Sequence, residues 1–216
     1  MSKLSKTFLT DQVLDFVADS ITAQGYVLLE DFLPTDLALE LSIDAETLSK
    51  TKFKTAGIGR NEDKQLNNDI RTDSTLWLTK KMHPQSTYIT LMEYLKQGVN
   101  QRLFLGLSDF ECHFSHYRRG DFYRRHLDAF KGRSNRLLST ICYLNKNWKS
   151  NQGGELVLYA NPQDLEPLSK VSPDFNRCVI FLSEVFPHEV LTSSSDRYSI
   201  AGWYSLNNNM PVNVDY

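Results

Sequence analysis

The stretch FECHFSHYRRGDFYRRHLD, residues 110–128, decides how this chain folds. Before it, apolar residues recur at helical spacing. Within it they sit in two short runs, 110–117 and 122–126, rich in aromatic residues and divided by Gly120. Further runs of the same kind follow at 137–144, 156–159, 178–182, 188–191 and 198–204, separated by clusters of Gly, Asn, Pro and Ser such as 193–195. Short antiparallel strands at this spacing predict a sandwich or jelly roll.

Upstream, Leu14, Val17, Ala18 and Ile21 predict a helix that Thr10 or Asp11 can cap and Gly25 stops. Tyr26 to Leu29 follows as a short strand. A second helix opens near Pro34 and carries Leu37, Leu41, Ala45 and Leu48 on one face; a third begins after Pro84 with Tyr88, Leu91, Met92, Leu95 and Val99. The polar, glycine-containing stretch 55–73 between them is expected to be a long loop. The helices are expected to pack on one outer face of the β structure.

With 216 residues, 41% of them hydrophobic, the chain can build one substantial core, and a single domain is expected. The 24 basic residues are spread along the chain and the net charge is -2, so no footprint for nucleic acid or an anionic membrane is present. No apolar run approaches signal-peptide or membrane-spanning length, which points to a cytoplasmic protein. The three cysteines, Cys112, Cys142 and Cys178, are odd in number and far apart, so reduced core thiols are expected rather than a disulfide framework.

His126 and Asp128 lie two apart in an extended segment, where alternate side chains point to the same side and can converge on one ion. His188, which follows Pro187 and opens another strand, is the candidate third ligand. Two histidines and one carboxylate leave open positions and suit non-haem iron(II), whereas zinc favours a closed set or three ligands and a water. Arg197 stands at the start of the strand 198–204, and a turn through 192–196 returns it toward the metal. Its planar fork matches a carboxylate, so a dicarboxylic 2-oxo acid could chelate the ion at one end and pair with Arg197 at the other. Of the other histidines, His113 and His116 fall on opposite faces of a regular strand, so one of them can line the pocket; His83, before a proline, is expected at the surface.

Taken in series, YRRGDFYRRHLD (117–128), TICYLNKNW (140–148), GGEL (153–156), FPHEV (186–190) and DRYSIAGWY (196–204) resemble the prolyl 4-hydroxylase branch of the iron(II)- and 2-oxoglutarate-dependent dioxygenases. That branch includes animal oxygen-sensing prolyl hydroxylases and their bacterial relatives, and the resemblance spans about 56–204. It implies an α+β fold with a mainly β core, a double-stranded β-helix (jelly roll) formed by about 106–206, with about 1–105 giving helical support and a substrate loop. It implies iron(II) on His126, Asp128 and His188, with 2-oxoglutarate and O2 as cosubstrates and ascorbate in a supporting role. Arg197 and Tyr143 would bind the distal carboxylate of 2-oxoglutarate and Tyr117 would lie near its chelating end, with Ile141, Leu156, Val190 and Trp203 shaping an apolar slot.

The string NNDIRTDSTLW (67–77) resembles the branch's substrate side: Asp73 would pair with Arg136 at the rim, Trp77 would face a bound peptide, and 57–68 would be a loop closing over it. The implied reaction is hydroxylation of a prolyl residue in a protein, with release of succinate and CO2, by a monomer; a translation component is the expected target class. The alternatives are the same chemistry on a free amino acid, a small metabolite or another side chain, and a silent jelly-roll binding module, which would have a damaged triad. No acidic general base stands in a motif that would favour a zinc hydrolase.

Overall fold

The computed structural model describes residues 8–57, 69–129 and 135–207. Helix α1 (Asp11–Gln24) starts at Thr10, whose hydroxyl accepts the Val13 N–H at 3.4 Å. It ends at Gly25 in the left-handed region (φ 81°), where an added Cβ would also lie 2.8 Å from the Phe186 ring. Strand β1 (Tyr26–Leu29) leads to α2 (Thr35–Ser49), which Pro34 immediately precedes, and α3 (Gln85–Leu103) follows Pro84. The sequence predicts each of these starts within a residue.

Between α2 and α3 lie two strands the sequence does not announce, β2 (Lys54–Thr55) and β3 (Ser74–Trp77). The expected loop 55–73 therefore begins inside a strand, and 58–68, nearly all of the expected closing loop, lies outside the described residues. The rest is β structure: β4 (Leu107–Tyr117), β5 (Tyr123–His126), β6 (Arg136–Tyr143), β7 (Leu156–Leu158), β8 (Ser169–Val171), β9 (Cys178–Leu182), β10 (His188–Val190) and β11 (Arg197–Leu206). The 3-residue β8 is too short for a periodic signal.

The strands form a seven-stranded sheet ordered β1-β9-β6-β11-β4-β3-β2 and a four-stranded sheet ordered β5-β10-β7-β8, all antiparallel pairs. The two sheets face each other as a double-stranded β-helix. Period two divides the larger sheet. Cys112, Phe114, Cys142, Cys178, Ile180, Ile200 and Tyr204 point outward into the main core with the helices, where the three cysteines are free and buried. Tyr117, Tyr143, Val179 and Phe181 point inward and meet Leu156, Leu158, Val171 and Val190 of the smaller sheet. The register pairs Arg197 with Tyr117 and Ser199 with Tyr143, so the inner face of β4, β11 and β6 forms one continuous wall.

Candidate active site

The antiparallel register sets His188, the first residue of β10, directly opposite His126, the last of β5, and Asp128 follows two residues on. The sequence-predicted triad thus converges: among the described residues, these three form the one group of His, Cys, Asp or Glu side chains able to hold a metal ion, with ligand atoms within 4.8 Å of one another. His126 Nε2 and His188 Nε2 lie 3.7 and 3.6 Å from the two oxygens of Asp128.

Backbone carbonyls decide which ring nitrogens face the cluster. His126 Nδ1 lies 2.8 Å from the carbonyl of Arg124, and His188 Nδ1 lies 3.0 Å from that of Phe186. Since a carbonyl only accepts, each Nδ1 carries the proton and each Nε2 keeps its lone pair for an ion. Burial, joined by the charge of His126, lowers His188 to about 4, so it stays neutral at physiological pH. Burial alone would raise Asp128, but the two histidines and a 2.6 Å hydrogen bond from Ser139 outweigh it and hold the carboxyl well below the usual range.

Arg197 is 1% exposed and enters from β11. Its Nε donates to the Gly154 carbonyl at 2.8 Å and Nη1 to Ser199 Oγ at 3.3 Å, leaving Nη2 buried with no partner among the described residues. Gly154 permits this close approach: a Cβ there would sit 3.1 Å from Arg197 Cδ. The guanidinium lies between the rings of Tyr117 and Tyr143, 4.9 and 5.1 Å from their centroids. The Tyr143 hydroxyl is also fully buried and without a hydrogen-bond partner among the described residues, and burial, opposed by the charge of Arg197, pushes it up to about 12. Two orphaned donors in one buried pocket each cost about 1–3 kcal/mol unless a ligand accepts from them. A small carboxylate is such a ligand.

Ile141, Leu156 and Val190 pack in the same cluster as both tyrosines. Trp203 stands apart from that cluster. It lies against His113 (5.3 Å), Trp77 (6.4 Å) and the Arg136 guanidinium (3.7 Å), and its indole N–H is buried without a partner among the described residues. Trp77, 51% exposed, meets His113 edge-on at 5.1 Å.

The expected pairing of Asp73 with Arg136 is not formed. Asp73 accepts Nε and Nη2 of Arg71 at 2.5 and 2.9 Å, while Arg136 Nε donates to Glu111 at 2.9 Å. The sheet order explains this: β4 and β11 lie between β3 and β6, roughly 14 Å of backbone spacing, whereas Arg71 is two residues from Asp73 on an extended chain. Arg71, not singled out from the sequence, lies 4.6 Å over the Tyr123 ring, which in turn stacks on His126 at 3.6 Å. Its signal was the same two-residue spacing that pointed to His126 and Asp128.

Of the two strand histidines, His113 faces the site wall and His116 stacks on Tyr198 behind it. His83 is exposed, as expected. Burial, with the charges of Arg71 and Arg136, lowers His113 to about 3. The unfolded chain takes up this proton below about pH 6.5 while the folded chain refuses it until about pH 3, so acidification through that window favours unfolding. Denaturant titrations of metal-free protein are expected to show wild type losing up to about 2 kcal/mol more than His113→Gln between pH 7.5 and 5. Equal losses in the two proteins would contradict the burial of a neutral ring.

The profile of the 2OG-Fe(II) oxygenase superfamily matches residues 112–205. Among solved structures, a Pseudomonas putida prolyl-4-hydroxylase is similar with a TM-score of 0.81 at 34% identity, over 90% of this chain and 100% of that one. A prolyl hydroxylase from Trichoplax adhaerens, solved with a hypoxia inducible factor oxygen degradation domain peptide fragment, gives a TM-score of 0.82 at 25% identity, over 95% and 94% of the two chains. Egl nine homolog 1 of Rattus norvegicus is 26% identical over 204 residues, which make up 88% of this chain and 58% of that protein. The chain spans about half the length of the curated Egl nine relatives it matches.

Proposed function

Because the chain belongs to the prolyl 4-hydroxylase branch of the 2OG-Fe(II) oxygenase superfamily, we propose that it is an iron(II)- and 2-oxoglutarate-dependent dioxygenase that hydroxylates a prolyl residue of a protein. The observation that carries this reading is the coexistence, between the two sheets, of an open two-histidine, one-carboxylate cluster and a buried guanidinium with an unsatisfied N–H.

His126, Asp128 and His188 hold the iron through Nε2, a carboxylate oxygen and Nε2. When bound, iron and 2-oxoglutarate supply O2 activation, with decarboxylation to succinate and CO2 coupled to hydroxylation of a C–H bond. Arg197 and Tyr143 take the distal carboxylate with the two donors left unpaired in the structure. Tyr117 flanks the guanidinium, and Ile141, Leu156 and Val190 keep water from the slot. Trp77, Trp203, Arg136 and the Asp73–Arg71 pair form the rim that receives the peptide, where a half-exposed indole and a buried, unpartnered indole N–H meet.

The chain acts as one monomeric catalytic unit, about 1–105 supporting the core at about 106–206. A component of the translation machinery is the first target class to test. Among the described residues no helix is long and apolar enough to cross a membrane, and we place the activity in the cytoplasm.

Anaerobic protein given iron(II) and then 2-oxoglutarate is expected to develop the weak visible charge-transfer band of an iron-bound 2-oxo acid. A folded protein that shows no band would remove the reading. In air, proline-containing translation proteins are then screened for a one-oxygen mass gain on proline; 2-oxoglutarate turnover stimulated only by a free amino acid would move the substrate to the small-molecule class. Tyr143→Phe, which removes one of the two donors, is expected to raise the KM for 2-oxoglutarate roughly 10- to 100-fold with a smaller change in kcat, measured by succinate release.

A further inference from the structure

Ser139 and Ser183 sit at 1% and 0% exposure beside the metal cluster, on different segments: Ser139 in β6 and Ser183 just past β9. Ser139 Oγ lies 2.6 Å from Asp128 Oδ2 and 2.9 Å from Ser183 Oγ. The direction of both hydrogen bonds follows from the carboxylate. An ionised Asp128 can only accept, so Ser139 donates to it. The one hydroxyl proton of Ser139 is then spent, so between the two serines Ser183 donates and Ser139 accepts. The chain runs Ser183 to Ser139 to Asp128, and each link polarises the next.

We propose that this serine pair is the positioning device for Asp128: it engages one carboxylate oxygen, fixes the plane of the group, and so makes Asp128 bind its ion through a single oxygen. The inference rests on the reading that the triad holds iron. Burying two hydroxyls in a wall that also carries Phe181, the cross-strand partner of Ser139, costs free energy that alanines would avoid. The hydroxyls answer that cost only because they satisfy each other and the carboxylate. A free carboxylate could swing to present both oxygens to an ion, and an open position in the coordination sphere would be lost. The amide N–H of Ser183 also donates to the Leu137 carbonyl at 3.0 Å, so the donor end of the chain is itself anchored to β6. Ser139 and Ser183 act through Asp128 and are positioning residues.

The test uses cobalt(II), which reports both affinity and coordination without turnover. Full-length wild type, Ser139→Ala, Ser139→Thr and Ser183→Ala are titrated with cobalt(II) by calorimetry, and visible d–d spectra of the loaded proteins are compared. Ser139→Ala is expected to bind about 10- to 100-fold more weakly and to change the spectrum. Ser139→Thr, which keeps the hydroxyl, restores both, and Ser183→Ala shifts them in the same direction by less. Wild-type affinity and spectrum in Ser139→Ala would overturn the proposal while leaving the triad reading intact. A folded wild type that binds no cobalt(II) would overturn the triad reading and this inference with it. Should Ser139→Ala fail to fold, Ser183→Ala, one bond further from the ion, decides: an unchanged spectrum and affinity there sink the proposal.

Discussion

Asp128→Ala is expected to lose iron(II) binding and, with it, all 2-oxoglutarate turnover, in a chain that still folds. Substitutions one bond removed from a metal typically cost 10- to 100-fold, so removal of a ligand is expected to exceed about 100-fold. Asp128 is the single anionic member of the cluster, and the ionised state that its surroundings enforce supplies the charge a divalent ion needs. Its removal leaves two imidazoles whose rings lie 4.3 Å apart and whose orientation the Arg124 and Phe186 carbonyls still fix. Cobalt(II) titration and succinate release are the measurements. Retention of a tenth of wild-type turnover in Asp128→Ala would mean that the ion is held elsewhere.

Arg197→Ala is the second large effect. The variant removes the charge proposed to meet the distal carboxylate and leaves the Gly154 carbonyl and Ser199 hydroxyl without the donors they now meet. Truncating one partner of a buried charge pair costs about 2–5 kcal/mol, so the KM for 2-oxoglutarate is expected to rise by roughly 10² to 10³. Arg197→Lys keeps the charge but not the fork, and its ammonium cannot both satisfy Gly154 and present a second donor beside Tyr143; an intermediate KM is expected. The split between the parameters is diagnostic. Arg197→Ala is expected to leave cobalt(II) affinity near wild type, because the metal cluster is built from other strands. A KM within threefold of wild type would refute the anchor role.

Much of this architecture was legible in the sequence because period and punctuation agree. Thr10 and Gly25 cap the first helix, Pro34 and Pro84 immediately precede the other two, and the aromatic runs mark the strands that carry the site. What the sequence hides is partnership across strands. His126 and Asp128 announce themselves by spacing, but nothing in LLSTICY or FLSEVFPH says that Ser139 meets Ser183, since that contact depends on β6 lying beside β9. The expected Asp73–Arg136 pair failed for the same reason: charge complementarity is visible along a chain, whereas the two strands inserted between the partners are not. The resemblance to the dioxygenase branch supplied the roles proposed for Tyr143 and Tyr117, which residue type alone would have left as core packing.

The division of the site between the sheets has a mechanical side. His126 and His188 belong to the four-stranded sheet, whereas Arg197, Tyr143 and Tyr117 belong to the seven-stranded one, and Asp128, tied to Ser139, straddles the two. A metal ion and a dicarboxylate bound as proposed would therefore cross-brace the sandwich, loading both layers at once. The smaller layer, built from strands of three and four residues, has few ladder bonds of its own. On the proposed binding mode, occupancy of the cavity and stiffness of the lesser sheet would be linked.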